Sequence, residues 1–117
     1  MNQEFKGNEI YMKLSGKYSN LYPIYGKLKE ELFNIGKDIK IILKTIYMRV
    51  DFDNGLYGII QWNEDGLEFL LPIKIEHERL LSTKHQGWKE LNKMVRFKRP
   101  EDVDGFIVNL LKEINNK

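Results

Sequence analysis

Between Asp38 and Phe52 the apolar residues alternate with a period of two, and the phase of that alternation slips once. Ile39, Ile41 and Leu43 take odd positions, with Lys40, Ile42 and Lys44 between and after them; Ile46, Met48, Val50 and Phe52 take even positions, separated by Tyr47, Arg49 and Asp51. Successive side chains of a strand point to opposite faces, so an unbroken strand would bury one set and expose the other. The chain must therefore leave regular strand geometry near Lys44 and Thr45, through a bulge or a short break. The same period continues downstream. Asp53, Asn54 and Gly55 supply turn chemistry, LYGIIQW reads as a strand, Asn63 to Gly66 turns again, and Leu67, Phe69, Leu71 and Ile73 share a face. KMVRFK closes the series, with Val95 and Phe97 opposite Met94, Arg96 and Lys98. The pattern predicts an antiparallel meander of about four to five strands.

Two segments have helical rather than strand periodicity. In SNLYPIYGKLKEELFNIG, Leu21, Ile24, Leu28, Leu32 and Ile35 fall on one stripe, Ser19 and Asn20 are capping candidates, and Gly36 is the stop. Pro23 fits only in a first turn, which places the start near residue 20 or 21. In PEDVDGFIVNLLKEINNK, Val103, Phe106, Ile107, Leu110, Leu111 and Ile114 form the stripe, with Pro100 in the first turn and Glu101, Asp102 and Asp104 near the positive end of the dipole. A meander flanked by two amphipathic helices predicts an α+β fold with both helices on one sheet face. The expected core includes Leu28, Leu32, Leu43, Met48, Leu67, Phe69, Phe97, Phe106 and Leu110. Lys74 to Asn92 has no clean period, although HERLLS could make one helical turn, and long irregular segments of this kind are often functional.

A chain of 117 residues supports one core, so residues 1–117 are expected to form a single domain, with 1–13 a polar leader and 14–115 the folded part. The absence of Cys excludes disulfides, thiolate metal sites and cysteine nucleophiles, and together with the lack of a signal-like start it points to the cytoplasm. No apolar stretch approaches the roughly 20 residues of a membrane span. Ser15, Ser19 and Ser82 lie in no nucleophile elbow, and His77 and His85 form no HExxH pair. The glycines fall singly and read as turn and helix-end residues. Asp38-Ile39-Lys40 has the acid-x-Lys form used by metal-dependent nucleases, but Asp38 sits just past Gly36 and reads as a turn residue. Asp51, Asp53, Asp65 and Glu68 lack the order of a calcium loop and read as exposed turn acids. No catalytic residue, metal ligand or cofactor is assigned.

Charge is distributed unevenly. The net charge is +2, yet residues 50–78 carry −6 and residues 79–99 carry +6. The basic stretch holds Arg79, Lys84, Lys89, Lys93, Arg96, Lys98 and Arg99 with His85 and Trp88 interleaved. Such a stretch can neutralise phosphates, and a Trp can stack on an unpaired base. A second candidate surface is the strand face carrying Lys40, Lys44, Tyr47 and Arg49, which have the opposite phase to the core residues around them or lie at the break. Together these residues suit an accessory or binding domain with weak, non-specific affinity for nucleic acid. Another protein is the alternative macromolecular partner. A small-ligand or enzymatic cleft between the sheet and segment 74–92 is a second reading. A third is an oligomerisation module joined through an edge strand marked by Leu70 or Met94.

Several short pieces occur in a familiar order: Gly16-Lys17, Ile24-Tyr25 and Leu28, Ile35-Gly36, KTIYM from Lys44 to Met48, and RPEDVDGFIVNLLKEI from Arg99 to Ile114. In that order the chain resembles the domain of unknown function family 5655 over residues 14–115. The resemblance implies a small α+β domain found alone or appended to other domains, some of them nuclease-like, with no established activity and no catalytic set to carry over. Arg99 departs from the small or hydroxylic residue usual before the proline, which leaves Asp102 and backbone contacts to cap the final helix.

Overall fold

The computed structural model describes residues 3–4, 14, 16–83 and 87–117; the rest of the expected leader, and Lys84 and His85, lie outside the described residues. In chain order the elements are β1 (Gln3–Glu4), a 3-10 helix (Gly16–Leu21), α1 (Tyr22–Ile35), β2 (Lys40–Leu43), β3 (Met48–Asp51), β4 (Tyr57–Asn63), β5 (Gly66–Leu71), β6 (Leu81–Ser82), β7 (Lys93–Phe97), a second 3-10 turn (Pro100–Asp102) and α2 (Gly105–Asn115). They build an α+β fold on one sheet of order β1-β2-β3-β4-β5-β7-β6. Six of its strands run antiparallel to their neighbours, and β1 adds to β2 in parallel.

The sheet is larger than the expected four to five strands, because two short strands extend its edges and because the phase slip is a complete reversal of direction. The Lys44 amide donates to the Tyr47 carbonyl at 2.8 Å and closes a hairpin, and Leu43 pairs with Met48. Reversal satisfies both parities at once: Ile41 and Leu43 face the same side as Met48 and Val50. Ile46, counted with the even set, instead stands at the hairpin tip and is 75% exposed.

Both helix starts differ from expectation. Ser19 and Asn20 lie within the 3-10 helix, and α1 begins at Tyr22 without a side-chain cap, with Pro23 in its first turn and Gly36 ending it. The final helix begins at Gly105, not at Pro100. Asp102 turns back to accept the Lys98 and Arg99 amides at 2.8 and 3.2 Å, which closes a separate turn, and the non-helical backbone of Val103 breaks the path. Asp104 then caps α2 by accepting the Ile107 amide at 3.3 Å.

Both helices lie on one sheet face. Ile24, Tyr25, Leu28 and Leu32 of α1 and Ile107, Leu110, Leu111 and Ile114 of α2 close over Ile41, Met48, Val50, Ile60, Leu67, Phe69, Leu71, Val95 and Phe97. Two of the expected core residues, Leu43 and Phe106, are only partly buried. Phe106 sits in the first turn of α2, packed against the core but only partly buried, with His77 stacked on it at 4.1 Å. Not every glycine marks a turn or helix end. Gly58 lies within β4, where an added Cβ would stand 2.7 Å from the Phe69 ring and 2.8 Å from the Leu70 carbonyl. Gly66, at φ +142, would bring a Cβ to 2.6 Å from the Phe97 carbonyl.

A polar staple fastens the C-terminal end of α2 to two turns. Asn115 accepts from the Asp53 amide at 2.9 Å and donates to Asp53 Oδ2 at 3.1 Å and to the Ile35 carbonyl at 3.4 Å. Asp53 in turn accepts the Lys37 and Asp38 amides at 3.1 and 2.8 Å. Asp53 is therefore a structural acid and not merely a solvated turn residue. Burial would raise its carboxyl, but the Asn115 and backbone hydrogen bonds outweigh that and hold it below its ordinary value. Asn115→Ala strands these groups and is expected to cost about 1–3 kcal/mol, read as a lower midpoint in urea denaturation. An unchanged midpoint would show that the staple is dispensable.

Candidate functional site

The face of the sheet turned away from the helices carries the opposite phase of every strand. One row crosses it from Ile42 through Arg49, Ile59, Leu70 and Met94 to Leu81, each the register partner of the next. The irregular segment returns over the middle of this row. Leu91 is buried there with Ile59 and Leu70, and Tyr47, Tyr57, Trp88 and Met94 pack around them. Leu70 is therefore covered and central, since β5 is paired on both sides, and it cannot mark an edge for oligomerisation; Met94 is half-buried in the same cluster.

At one end of this face the two surfaces nominated by sequence meet. Tyr47, on the β2–β3 hairpin, and Trp88, on the returning segment, stand edge to face with centroids 4.8 Å apart. The Arg49 guanidinium lies 4.1 Å over the Tyr57 ring and binds Asp51 Oδ1 through Nε at 2.7 Å. The Tyr57 hydroxyl donates to the Glu90 carboxylate. Burial and the neighbouring carboxylate push the Tyr57 phenol up to about 12, whereas the bond from Tyr57 holds Glu90 below its ordinary value. This hydrogen bond joins the returning segment to β4 two residues beyond Trp88. Lys40, Lys44 and Lys89 are exposed, Lys44 in the hairpin with Tyr47, Lys89 next to Trp88 in the chain, and Lys40 at the far end of β2, opposite Asp51; none of the three makes an ion pair among the described residues.

The other candidate cations are placed differently. Arg96 lies on the outer face but is neutralised: its Nε and Nη2 donate to Glu68 Oε2 at 2.9 and 2.7 Å, while Gln61 donates to Oε1 at 2.8 Å. Glu68 is only 3% exposed, so it too is not an exposed turn acid. Arg79 sits at the start of α2, where Nη1 reaches both Asp104 oxygens at 3.0 and 2.8 Å and Nη2 the Asp102 carbonyl at 2.7 Å. Lys93 points inward, bonded to Glu76 and Ser82. Lys98 lines a cleft of about 290 Å³ with Lys17, Tyr18 and Asn63. Sequence reasoning missed Tyr57 and Glu90 on this surface. The alternation of LYGIIQW placed Tyr57 on a strand, but nothing in the chain announces its bond to a residue 33 positions away.

Among the described residues no three His, Asp or Glu side chains come close enough to hold a metal ion, and no helix is long and apolar enough to cross a membrane. Neither the family models, the curated proteins nor the solved structures searched include a match to this chain. What the fold defines is a small α+β domain whose sheet is covered by helices on one side and by a returning loop on part of the other.

Proposed function

We propose that this is a non-catalytic accessory domain that holds single-stranded nucleic acid, weakly and without sequence preference, against the outer face of its sheet. The observation that supports the reading is the Tyr47–Trp88 pair, which joins the cations of the hairpin to those of the returning segment around one aromatic platform. Stacking on such a platform tolerates any base, and Lys40, Lys44 and Lys89 are the cations available for phosphates. The ion pairs of Arg49 and Arg96 limit the affinity, because each must be broken before its cation can serve a phosphate, and Arg79 and Lys93 are engaged away from this face. The resemblance to the domain of unknown function family 5655 supplies no catalytic set that would argue otherwise, and a chain without Cys suits a cytoplasmic setting.

Three phosphate contacts predict a shallow dependence on salt, with a slope of log K on log salt near about −2 for a single strand. Fluorescence anisotropy with labelled single-stranded DNA and RNA at two salt concentrations measures it. Reversing Lys44 and Lys89 to Glu should abolish binding, and Trp88→Ala should remove about 1–3 kcal/mol per stacked base. No binding at low salt would overturn the proposal in favour of a protein partner.

A further inference from the structure

Between the sheet and the irregular segment lies a cleft of about 320 Å³ lined by Lys74, Glu76, Ser82, Thr83, Asn92 and Lys93. That is about ten times the ~30 Å³ share of a water molecule in the liquid, room for a charged headgroup with a small body. Its inner wall is unusual. Lys93 occupies an inward position of β7, in phase with Val95 and Phe97 and opposite Leu71, and its side chain is 6% exposed. An ammonium in such a place needs an anion and hydrogen-bond acceptors around it. Nζ donates to Glu76 Oε1 at 3.0 Å and to Ser82 Oγ at 3.2 Å, and its third proton has no acceptor among the described residues.

The two partners differ in how they are held. Ser82 is the register partner of Lys93, fixed by a ladder that continues through the Thr83 amide to the Asn92 carbonyl at 3.0 Å. Glu76 comes from the irregular stretch, and its side chain is 90% exposed. A solvated carboxylate gains little from such a pair, so an anion of like chemistry can take its position without opening the core. We infer that the cleft is an anion subsite, in which Lys93 receives the carboxylate or phosphate headgroup of a small molecule and Glu76 acts as its built-in competitor. Lys74 adds a second positive charge at the wall, and Ser82, Thr83 and Asn92 add polar groups. The Ser82–Lys93 contact also has the spacing of a nucleophile and a base. An ammonium engaged in an ion pair has no lone pair to accept the hydroxyl proton, so the site binds and does not transfer acyl groups.

Amide NMR titrations with inorganic phosphate, acetate and chloride at matched ionic strength test this inference. Phosphate or acetate should give saturable shifts at Ser82, Thr83, Asn92 and Lys93, and the tighter of the two identifies the headgroup. Chloride should not. Glu76→Gln, an exposed change that leaves the core intact, should tighten binding by about two- to fivefold, the range of a solvent-exposed ion pair. Lys93→Met should remove saturation while keeping a cooperative melt. Shifts that never saturate, an equal response to chloride, or unchanged affinity in Glu76→Gln would each overturn the assignment. So would retained affinity in Lys93→Met.

Discussion

Phe69→Ala should lower the unfolding free energy by about 3–5 kcal/mol, a large part of the stability of a domain this size. Phe69 is fully buried in β5, paired with Ile60 on one side and Val95 on the other, and its ring lies over Gly58, the β4 position without a side chain. Truncation removes that ring from the middle of the sheet, where paired strands on both sides limit collapse into the cavity. Phe106→Ala is expected to cost less than half as much, since Phe106 is half-buried and its ring meets His77 and Arg79 at the domain edge. Urea denaturation of both variants reads the contrast. Equal losses would contradict the placement of the core beneath the two helices.

Glu68→Leu should have the next largest effect. Breaking a buried ion pair from one side costs ~3–5 kcal/mol, but the Arg96 side chain is 31% exposed and can rehydrate in part, which lowers the expected loss to about 2–3 kcal/mol. The pair also sets a pH dependence. Burial alone would raise the Glu68 carboxyl; hydrogen bonds from Gln61 and Arg96 and the Arg96 charge outweigh it and hold the group below its ordinary value. A carboxyl lowered in the folded state contributes stability that is complete above its unfolded value and is lost as pH falls through its folded value. The wild-type melting temperature should therefore drop in acid, and the variant should lose part of that drop. Asp53 and Asp104, also held low by their hydrogen-bond partners, contribute to what remains. A variant with the full wild-type acid dependence would show that the Glu68 carboxyl is not held low in the folded protein.

The sequence carried the fold further than it carried the site. Two helical stripes and a period-two pattern between them were enough for an α+β domain with helices on one face, because burial of one face imposes its period on each element. The phase slip located the break at Lys44 and Thr45 but could not separate a bulge from a hairpin, since both restore the parity of the apolar residues. The two-residue strands Gln3–Glu4 and Leu81–Ser82 are too short to show any period. On the site side, composition found the cations and could not say which were already neutralised. Arg96 and Arg79 look alike in sequence; one meets its register partner Glu68 on the neighbouring strand, the other the cap of α2. Those pairings are fixed by register and by where the returning segment lands, and neither is written locally.

The chain has two tryptophans, and they lie on opposite sides of the sheet: Trp88 with Tyr47 on the outer face, Trp62 packed against the helix-side core. Their indole N–H signals therefore report the two faces separately in one spectrum. Titrated with a single-stranded oligonucleotide at low salt, the Trp88 indole signal should shift along a saturating curve and the Trp62 signal should stay in place. Movement of Trp62 alone, or of neither, would contradict the outer sheet face as the binding surface.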